Sequence, residues 1–294
     1  MKKNLLKIGI ILMVVLMCFL VPSEIITAGA EIVPIPIDEK SVPAPDEKYY
    51  TEDGYEDPSI KVTFEYGRAY ESDYVIAHIK IADPSQIRAF QASNDGRSTK
   101  HAIQLAAMAG AVVAMNGDFY QTFSPEMGRY CVRQGVIKKQ NPTGYFDSLV
   151  IDENGDLHIF QQAKKSVFEN FEGTIVNAYA FGPGLVIDGV KVETFINQGY
   201  GPNVKAQRSA LCQVGPLEYL CVVCAGQSNP GSEGMVIADW AEFVYSLGVQ
   251  QAYNLDGGTS AALVFRGVKM NTFDSPKSRQ INDIICFVSA WQED

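Results

Sequence analysis

Apolar residues alternate with polar ones, or form short continuous runs, along most of this 294-residue chain. Both patterns are typical of β-strands that are buried on one face or on both. Turn residues separate the runs, as at Asn154-Gly155 and Asp188-Gly189. The strands predicted in this way are IKVTFEY, YVIAHIKI, AVVAMN, SLVID, LHIF, GLVID, SALCQV, EYLCVVCA, QAYNLD, ALVFRG and DIICFVSA.

Two segments instead carry helix signals. Residues 98–109 begin at Ser98 or Thr99 as N-cap and stop at Gly110, and residues 233–247 place apolar side chains at helical spacing. Each predicted helix leads into an apolar strand that ends in a polar turn containing glycine. The predicted fold class is therefore α+β, a single domain of mixed β-sheet with two main helices packed on it.

The N-terminus has the pattern of a secretory signal peptide, predicted here as residues 1–30. Lysines at positions 2, 3 and 7 precede an apolar run over residues 8–21, and small residues follow in TAGA. The run is shorter than the roughly 20 residues of a membrane-spanning helix. We therefore expect a secreted or cell-surface protein that contacts a membrane only if the signal stays uncleaved as an anchor.

Charge and proline separate the next segment from the rest of the chain. Residues 31–60 carry nine acidic residues and two lysines, with several prolines and no apolar periodicity. We interpret this segment as an acidic Pro-rich linker, followed by one domain over residues 61–294. The net charge of −10 leaves no basic run in that domain, so nucleic acid is excluded as the expected partner.

Five cysteines lie outside the signal segment, at positions 131, 212, 221, 224 and 286. An odd number in a domain of this size is not a disulfide framework. Cys221 and Cys224 form a C-x-x-C pattern within a predicted strand, where their side chains point to opposite faces. They are interpreted as core residues rather than as a redox or zinc pair.

The turns that follow the two helix-strand units are the candidate functional loops. They read MNGDFY at residues 115–120 and LDGGTS at residues 255–260. An Asp-Gly pair alone indicates an ordinary turn. The second glycine, next to several polar side chains, favours a loop whose backbone a ligand approaches closely.

Five motifs in a fixed order give the chain a resemblance to the phosphodiester glycosidase family. Its animal member removes N-acetylglucosamine from phosphodiester-masked mannose, and its bacterial members are often described as exopolysaccharide biosynthesis proteins. Asp118 replaces a glycine of the family's NGGFF pattern, and Thr259 replaces the third glycine of its NLDGGGS pattern. The motifs are VAMNGDFY, AFGPGLVIDG, QRSALCQVG, CAGQSNPGSEGMVIADWAEFVYSLGVQQAYNLDGGTSAALVFRG and SPKSRQINDIICFV.

The resemblance implies an exported hydrolase that splits a sugar from a phosphate in a glycan or cell-envelope polymer. Asp256 would stabilise or trap the oxocarbenium-like transition state, and arginine would bind the anionic leaving group. The implied catalytic residues are Asp256, Arg208 and Asn116, and the implied substrate-binding residues are Asp118, Gln227, Gly257, Gly258, Ser260 and Arg279.

Other kinds of site find little support in the residues. No ligand spacing specifies a metal, so no cofactor is required, and a divalent cation near Asp118 or Asp256 is left open. The three histidines fall outside the matched motifs, which disfavours a histidine triad or a zinc site. The alternatives to an enzyme are a non-catalytic glycan-binding protein, or a cell-wall or spore assembly protein.

Overall fold

The computed structural model of the protein describes residues 31–119, 122–124, 127–271 and 278–293. The predicted signal peptide, residues 1–30, lies outside the described residues. The strands are β1 Glu31–Ile32, β2 Gly54–Asp57, β3 Ile60–Ala69, β4 Ser72–Ile81, β5 Ile87–Gln91, β6 Ala111–Asn116, β7 Tyr130–Arg133, β8 Val136–Gln140, β9 Ser148–Asp152, β10 Leu157–Phe160, β11 Ile175–Tyr179, β12 Gly184–Ile187, β13 Val190–Lys191, β14 Arg208–Gly215, β15 Glu218–Cys224, β16 Gln251–Leu255, β17 Leu263–Phe265, β18 Val268–Lys269, β19 Asp283–Val288 and β20 Trp291–Gln292. The α-helices are α1 Ala102–Ala109, α2 Lys165–Glu169 and α3 Ile237–Ser246, and the 3-10 helices are Glu47–Tyr49, Pro84–Gln86 and Gly258–Ser260.

The strands of the described residues form four sheets. The largest has eight strands in the order β13-β12-β16-β14-β15-β4-β3-β2. Two sheets of five strands have the orders β18-β17-β6-β19-β5 and β10-β9-β11-β7-β8, and β1 pairs with β20. Hydrogen-bonded hairpins such as β3-β4 and β14-β15 supply much of this pairing.

The predicted fold class, α+β with a mixed sheet and two main helices, is wrong. The protein is predominantly β, and the strand pairings of the described residues are antiparallel. The two helices exist, but α1 has 8 residues and α3 has 10. Each one leads into a strand that inserts antiparallel between two others, β6 between β17 and β19 and β16 between β12 and β14.

The central core lies among the eight-stranded sheet and the two five-stranded sheets. Val75 and Ala77 of β4 face this core, whereas Ile76 between them packs on the opposite face with α3. The sheet is thus buried on both faces, and its strands carry the continuous apolar runs that the sequence shows. On the second side, Trp240 of α3 is completely buried.

Helix α1 covers the outer face of the sheet that contains β6 and β19. Leu105 and Ala109 pack there against Ile284 and Val288. Gly110 ends the helix with a φ of 71°, a conformation that glycine adopts without strain. Strand β6 begins at the next residue, so the helix end fixes where that strand starts.

Residues 31–60, predicted to be a linker, lie against the domain. Strand β2 of this segment pairs with β3 as the edge of the eight-stranded sheet, and Tyr55 is buried in the central core. Farther upstream in the segment, the backbone carbonyls of Pro36 and Glu39 accept hydrogen bonds from the guanidinium of Arg88 in the domain. Much of the segment is extended, but these contacts dock it on the domain.

The five described cysteines are free and buried, as the sequence indicates. Cys221 packs in the central core and Cys224 packs on the α3 side of the sheet. The prediction that these two sulfurs diverge is confirmed. Among the helices within the described ranges, none is long and apolar enough to cross a bilayer.

Candidate active site

Asn116, at the end of β6, ties the two predicted functional turns together. Its side-chain amide donates to the backbone carbonyl of Asp256 at 2.8 Å, although the two residues are 140 positions apart. Its Oδ1 accepts from the backbone N–H of Ala262 at 3.0 Å. Asn116 is completely buried, so both bonds are shielded from water.

Ser209 of β14 strengthens the same junction. Its hydroxyl donates to the carbonyl of Asp256 at 3.0 Å, so this oxygen receives one hydrogen bond from each of two sheets. The backbone on which the Asp256 carboxyl stands is therefore fixed from both sides. Ser209 is a site residue that the sequence analysis did not select.

The two glycines after Asp256 are required for different reasons. A Cβ on Gly257 would lie 2.5 Å from the backbone carbonyl oxygen of Gln207, which is too close for any side chain. Gly258 has open space around it, but its φ of 57° favours glycine. Its N–H donates to the same Gln207 oxygen at 2.9 Å. The turn thus packs tightly against the start of β14.

The Asp256 carboxyl is buried, with 6% of the residue exposed. Its Oδ2 has no hydrogen-bond partner among the described residues. Burial raises the pKa of this carboxyl to about 6, although the Ser260 hydroxyl and the Arg279 charge act in the opposite direction. The charge of Asp118 adds to the increase. Asp256 therefore changes its charge close to neutral pH, as expected for a reactive group.

Arg279 and Ser260 lie beside this carboxyl. The backbone N–H of Arg279 donates to the carbonyl of Thr259 at 2.9 Å, which attaches the arginine to the acidic turn. Its Nη1 lies 3.4 Å from the Ser260 hydroxyl. Ser260 is buried and Arg279 is exposed, so this guanidinium is accessible to solvent next to a buried acid.

Asp118 is held by a buried network of charges. Its carboxylate accepts hydrogen bonds from the Ala180 N–H at 3.2 and 3.1 Å, and it pairs with Arg133 at 3.0 Å. The same guanidinium pairs with Asp283 at 2.6 Å, and Asp283 accepts from the backbone N–H of Asp118 at 3.0 Å. One arginine thus lies between two carboxyl groups.

The environment of this network acts on the pKa of two of its members. Burial lowers the pKa of Arg133, but Asp283, Tyr179 and Asp118 together raise it above its ordinary value. Burial also raises the pKa of Asp283, against the effect of Arg133. Neither Arg133 nor Asp283 was selected from the sequence. The only local signal is a charged residue within an apolar strand, in YCVRQG and in NDIICFV.

The Arg208 side chain, predicted to bind the phosphate, donates hydrogen bonds to the protein backbone. Its guanidinium donates to four backbone carbonyls at 2.6 to 3.0 Å, and burial lowers its pKa to about 10. These acceptors belong to Tyr200, Gly201, Val204 and Met235. Because neighbouring residues of a strand face opposite sides, Ser209 contacts the Asp256 turn and Arg208 faces away from it. The guanidinium assigned to the phosphate is here engaged by the protein backbone.

Gln227 lies at the edge of this region and is exposed. It follows Gly226, where a Cβ would lie 2.8 Å from the backbone nitrogen of Gln207. The carbonyl of Gln207 in turn contacts the turn at Gly257 and Gly258. Gln227 is therefore connected to the acidic turn through two intervening residues, Gly226 and Gln207.

The described residues contain no group of three histidine, cysteine or acidic side chains placed to hold a metal ion. The Asp118 carboxylate is instead engaged by a backbone N–H and an arginine.

Comparisons with known proteins agree with the motif order. Residues 109–288 match the phosphodiester glycosidase family. No curated protein matches the sequence. The fold is similar to the zebrafish N-acetylglucosamine-1-phosphodiester alpha-N-acetylglucosaminidase catalytic domain, auto-inhibited by its pro-peptide, with a TM-score of 0.64, 15% identity and coverage of 88% of this chain and 98% of that one. A hypothetical protein from Synechocystis is similar with a TM-score of 0.58, 14% identity and coverage of 78% and 62%.

Proposed function

Because the chain belongs to the phosphodiester glycosidase family, we propose that it is an exported enzyme that hydrolyses a sugar-1-phosphodiester bond. The substrate is a glycan or a cell-envelope polymer that carries a linkage like that of N-acetylglucosamine-1-phosphodiester. The named activity of the zebrafish protein with the same fold supports this choice of sugar. The acidic character of the chain fits a carbohydrate partner better than a nucleic acid.

The observation that carries the proposal is the state of Asp256. A carboxyl group that is buried, has no partner at Oδ2 within the described ranges and has a pKa of about 6 is poorly explained by a structural role. Ionised, it stabilises or traps the positive charge that develops at the anomeric carbon. A phosphodiester leaves as an anion and needs little help from a general acid, so an anionic Asp256 is sufficient for bond cleavage.

The surrounding groups have separate tasks in this scheme. Asn116 and Ser209 position the Asp256 backbone, and the exposed Arg279 attracts the negative phosphate to the site. Asp118 stays within the buried charge network and adds negative potential, which favours a cationic transition state. The side chains that bind the sugar hydroxyls include Ser260 and Gln227.

The test is hydrolysis of an N-acetylglucosamine-1-phosphodiester by the purified protein. Asp256→Asn keeps the shape of the side chain and removes its charge, and we expect kcat to fall by about 10²-fold or more. Asp239→Asn on α3 is the matched control, since this acid lies on a helix outside the site, and it keeps full activity. Tight binding of the diester by the parent protein without any product contradicts the proposal and identifies a glycan-binding protein.

Two further measurements address metal dependence and export. Activity that is unchanged after dialysis against EDTA supports chemistry by protein groups alone, whereas activity restored by a divalent cation contradicts it. Expression of the full chain in a bacterial host, followed by fractionation and N-terminal sequencing, tests secretion. The proposed location predicts protein outside the cytoplasm with a new N-terminus close to residue 30, or an uncleaved chain held at the membrane.

A further inference from the structure

Arg129 is a buried cation whose hydrogen-bonding capacity is largely unused. The residue is 3% exposed, and its Nε and Nη1 have no hydrogen-bond partner among the described residues. Its guanidinium carbon lies 3.9 Å from the centre of the Phe146 ring and 5.9 Å from that of Phe119. Stacking on aromatic faces stabilises the positive charge, but it does not provide hydrogen-bond acceptors for the N–H groups. Such a group is costly to bury unless it has a further task.

Arg129 lies near the first of the two functional turns. Phe119, beside its guanidinium, directly follows Asp118 and packs near Phe181, with ring centres 6.1 Å apart. Burial raises the pKa of the Tyr253 hydroxyl, and the charges of Asp118 and Arg129 both act on it, in opposite directions. Tyr253 belongs to β16, the strand that leads directly to Asp256. Arg129 thus neighbours Phe119 of the first functional turn, and its charge acts on the strand that leads to the second.

The chain before Arg129 is braced, so the guanidinium is held in place in advance. The ammonium group of Lys139 donates to the backbone carbonyls of Thr122, Ser124 and Met127. The carbonyl of Arg129 itself accepts from the N–H of Asn141 at 3.2 Å. A guanidinium fixed in this way loses little conformational freedom when it binds a ligand.

The other site arginines are already engaged. Arg133 lies between two carboxylates, and Arg208 donates to four carbonyls. Arg279 contacts Ser260 at the solvent-exposed edge of the acidic turn. Arg129 differs because it combines burial, aromatic stacking and two N–H groups that have no acceptor in the part of the chain that the structure describes. A planar guanidinium of this kind matches the paired oxygens of a phosphoryl group.

We propose that Arg129 binds a phosphoryl oxygen of the substrate, and so takes the task that the sequence analysis gave to Arg208. This inference rests on the proposed function, since it assigns the recognition of the phosphate within the same site. In this scheme Arg279 attracts the phosphate at the solvent-exposed edge of the site. Arg129 binds the phosphate of the leaving group inside the site. Arg129 is a specificity residue for phosphodiesters over sugars with uncharged leaving groups.

The first experiment measures phosphate binding without turnover. Inorganic phosphate and methyl phosphate are titrated into the full folded protein and followed by calorimetry. The parent chain and Arg129→Met are compared, with Arg266→Met as a matched control, because Arg266 is exposed and pairs with Glu47. We expect the affinity to fall by about 10- to 100-fold in Arg129→Met only. Equal affinity in the two folded proteins, or tighter binding of acetate than of phosphate, overturns the inference.

The second experiment separates this inference from the proposed function. Values of kcat/KM are compared for an N-acetylglucosamine-1-phosphodiester and for an aryl N-acetylglucosaminide whose leaving group carries no phosphate. Arg129→Met is expected to lose about 10- to 100-fold more on the diester than on the aryl substrate. Equal losses on both substrates overturn the phosphate assignment while the glycosidase remains. If the parent chain cleaves neither substrate, the proposed function fails, and phosphate binding alone decides the role of Arg129.

A conservative variant covers the case in which Arg129→Met does not fold. Arg129→Lys keeps the charge and most of the stem but loses the planar pair of donors. Folding is checked by circular dichroism and by thermal unfolding. A folded Arg129→Lys with weakened phosphate binding supports the inference, and one that binds phosphate as tightly as the parent chain overturns it.

Discussion

Asn116 holds the backbone carbonyl of Asp256 through a buried hydrogen bond of 2.8 Å. The bond connects the end of a strand in one sheet to a turn that follows a strand of another sheet. It joins the side-chain amide of Asn116 in the first functional turn to the backbone of the acidic residue in the second. The active site is therefore built on the junction between sheets. Its geometry depends on how firmly these sheets are joined.

Asn116→Ala is expected to weaken both folding and catalysis. The substitution leaves the Ala262 N–H without its acceptor, which costs about 1–3 kcal/mol, and it loosens the Asp256 turn. Ser209→Ala removes only the second donor to the same carbonyl, so we expect a loss of about 1 kcal/mol. Urea unfolding gives the stability and steady-state kinetics gives kcat. If Asn116→Ala has the same free energy of unfolding and the same kcat as the parent chain, the hydrogen bonds of Asn116 contribute to neither folding nor catalysis.

The raised pKa of Asp256 predicts a stability that decreases with pH. The pKa is about 6 in the fold against an ordinary value of 3.8, so the fold favours the protonated acid. Its contribution is complete below the unfolded pKa and is lost as the pH rises through the folded pKa. The loss amounts to about 3 kcal/mol by pH 7.

Asp256→Asn, which does not ionise, provides the comparison. Relative to the parent chain, the variant gains stability as the pH rises from about 4 to 7, and the gain levels off above that range. Urea unfolding at pH 4 and at pH 7.5 measures the change. A difference between the two proteins that stays constant with pH would mean that Asp256 does not titrate in the way its burial implies.

Arg133→Met is expected to be among the most damaging substitutions in the protein. It leaves Asp118 and Asp283 buried without their common partner, which costs about 3–5 kcal/mol. The double variant with Asp283→Asn removes one of the stranded charges and should recover part of the loss. Chemical denaturation of the single and double variants measures this coupling. If Asp283→Asn instead lowers the free energy of unfolding further, unpaired charge in this network is not the cause of the instability.

Gly257 and Gly258 are expected to respond differently to substitution. Gly257→Ala places a methyl group against the Gln207 carbonyl, so the turn must move and kcat falls. Gly258→Asn meets open space and retains the left-handed conformation that asparagine tolerates, so activity is largely kept. Gly258→Ala falls between them, with a cost of about 1–2 kcal/mol. Kinetics and thermal unfolding of the three variants check the order.

Arg208→Met tests the structural position of that arginine. Removal of its guanidinium takes a hydrogen-bond donor from four backbone carbonyls, and we expect a clear loss of stability. At a temperature where the variant stays folded, its KM for a phosphodiester should remain close to that of the parent chain. A selective rise in KM for the diester would instead show that Arg208 binds the phosphate.

Much of the strand content could be predicted because strands buried on both faces carry continuous apolar runs. Strands β5, β7 and β11 were missed, since they include the buried polar residues Arg88, Arg133 and Asn177, which interrupt the pattern. Apart from hairpins closed by turns such as Asn154-Gly155 and Asp188-Gly189, strand pairing depends on distant segments and leaves no local signal, so the fold class was wrong.

Tertiary contacts also shortened both predicted helices. Helix α1 begins at Ala102 rather than near Ser98, because the backbone of Lys100 pairs with Ile281. Helix α3 begins at Ile237 rather than at Glu233, because Met235 pairs with Ala206. Hydrogen bonds to other parts of the chain replaced the first helical turn in each case.

For the site, the sequence located the two loops but not the groups that support them. Asn116 and Asp256 stand in turns whose glycines and polar side chains are visible in the sequence. Ser209, Asp283 and Arg129 are single polar residues in ordinary surroundings. Their importance comes from contacts across the fold, such as the bond between Arg133 and Asp283 over 150 positions.

The interior position of β19 has a consequence for protein synthesis. This strand lies between β5 and β6 and begins with Asp283, near the end of the chain. A nascent polypeptide that has reached Asp256 but not β19 lacks an interior strand of that sheet and the carboxylate of Asp283 that pairs with Arg133. The two functional turns of such a chain have nothing to close against, since contacts between such distant positions form only after the intervening chain exists. The turns therefore reach their final arrangement only after residues 283–288 have been synthesised.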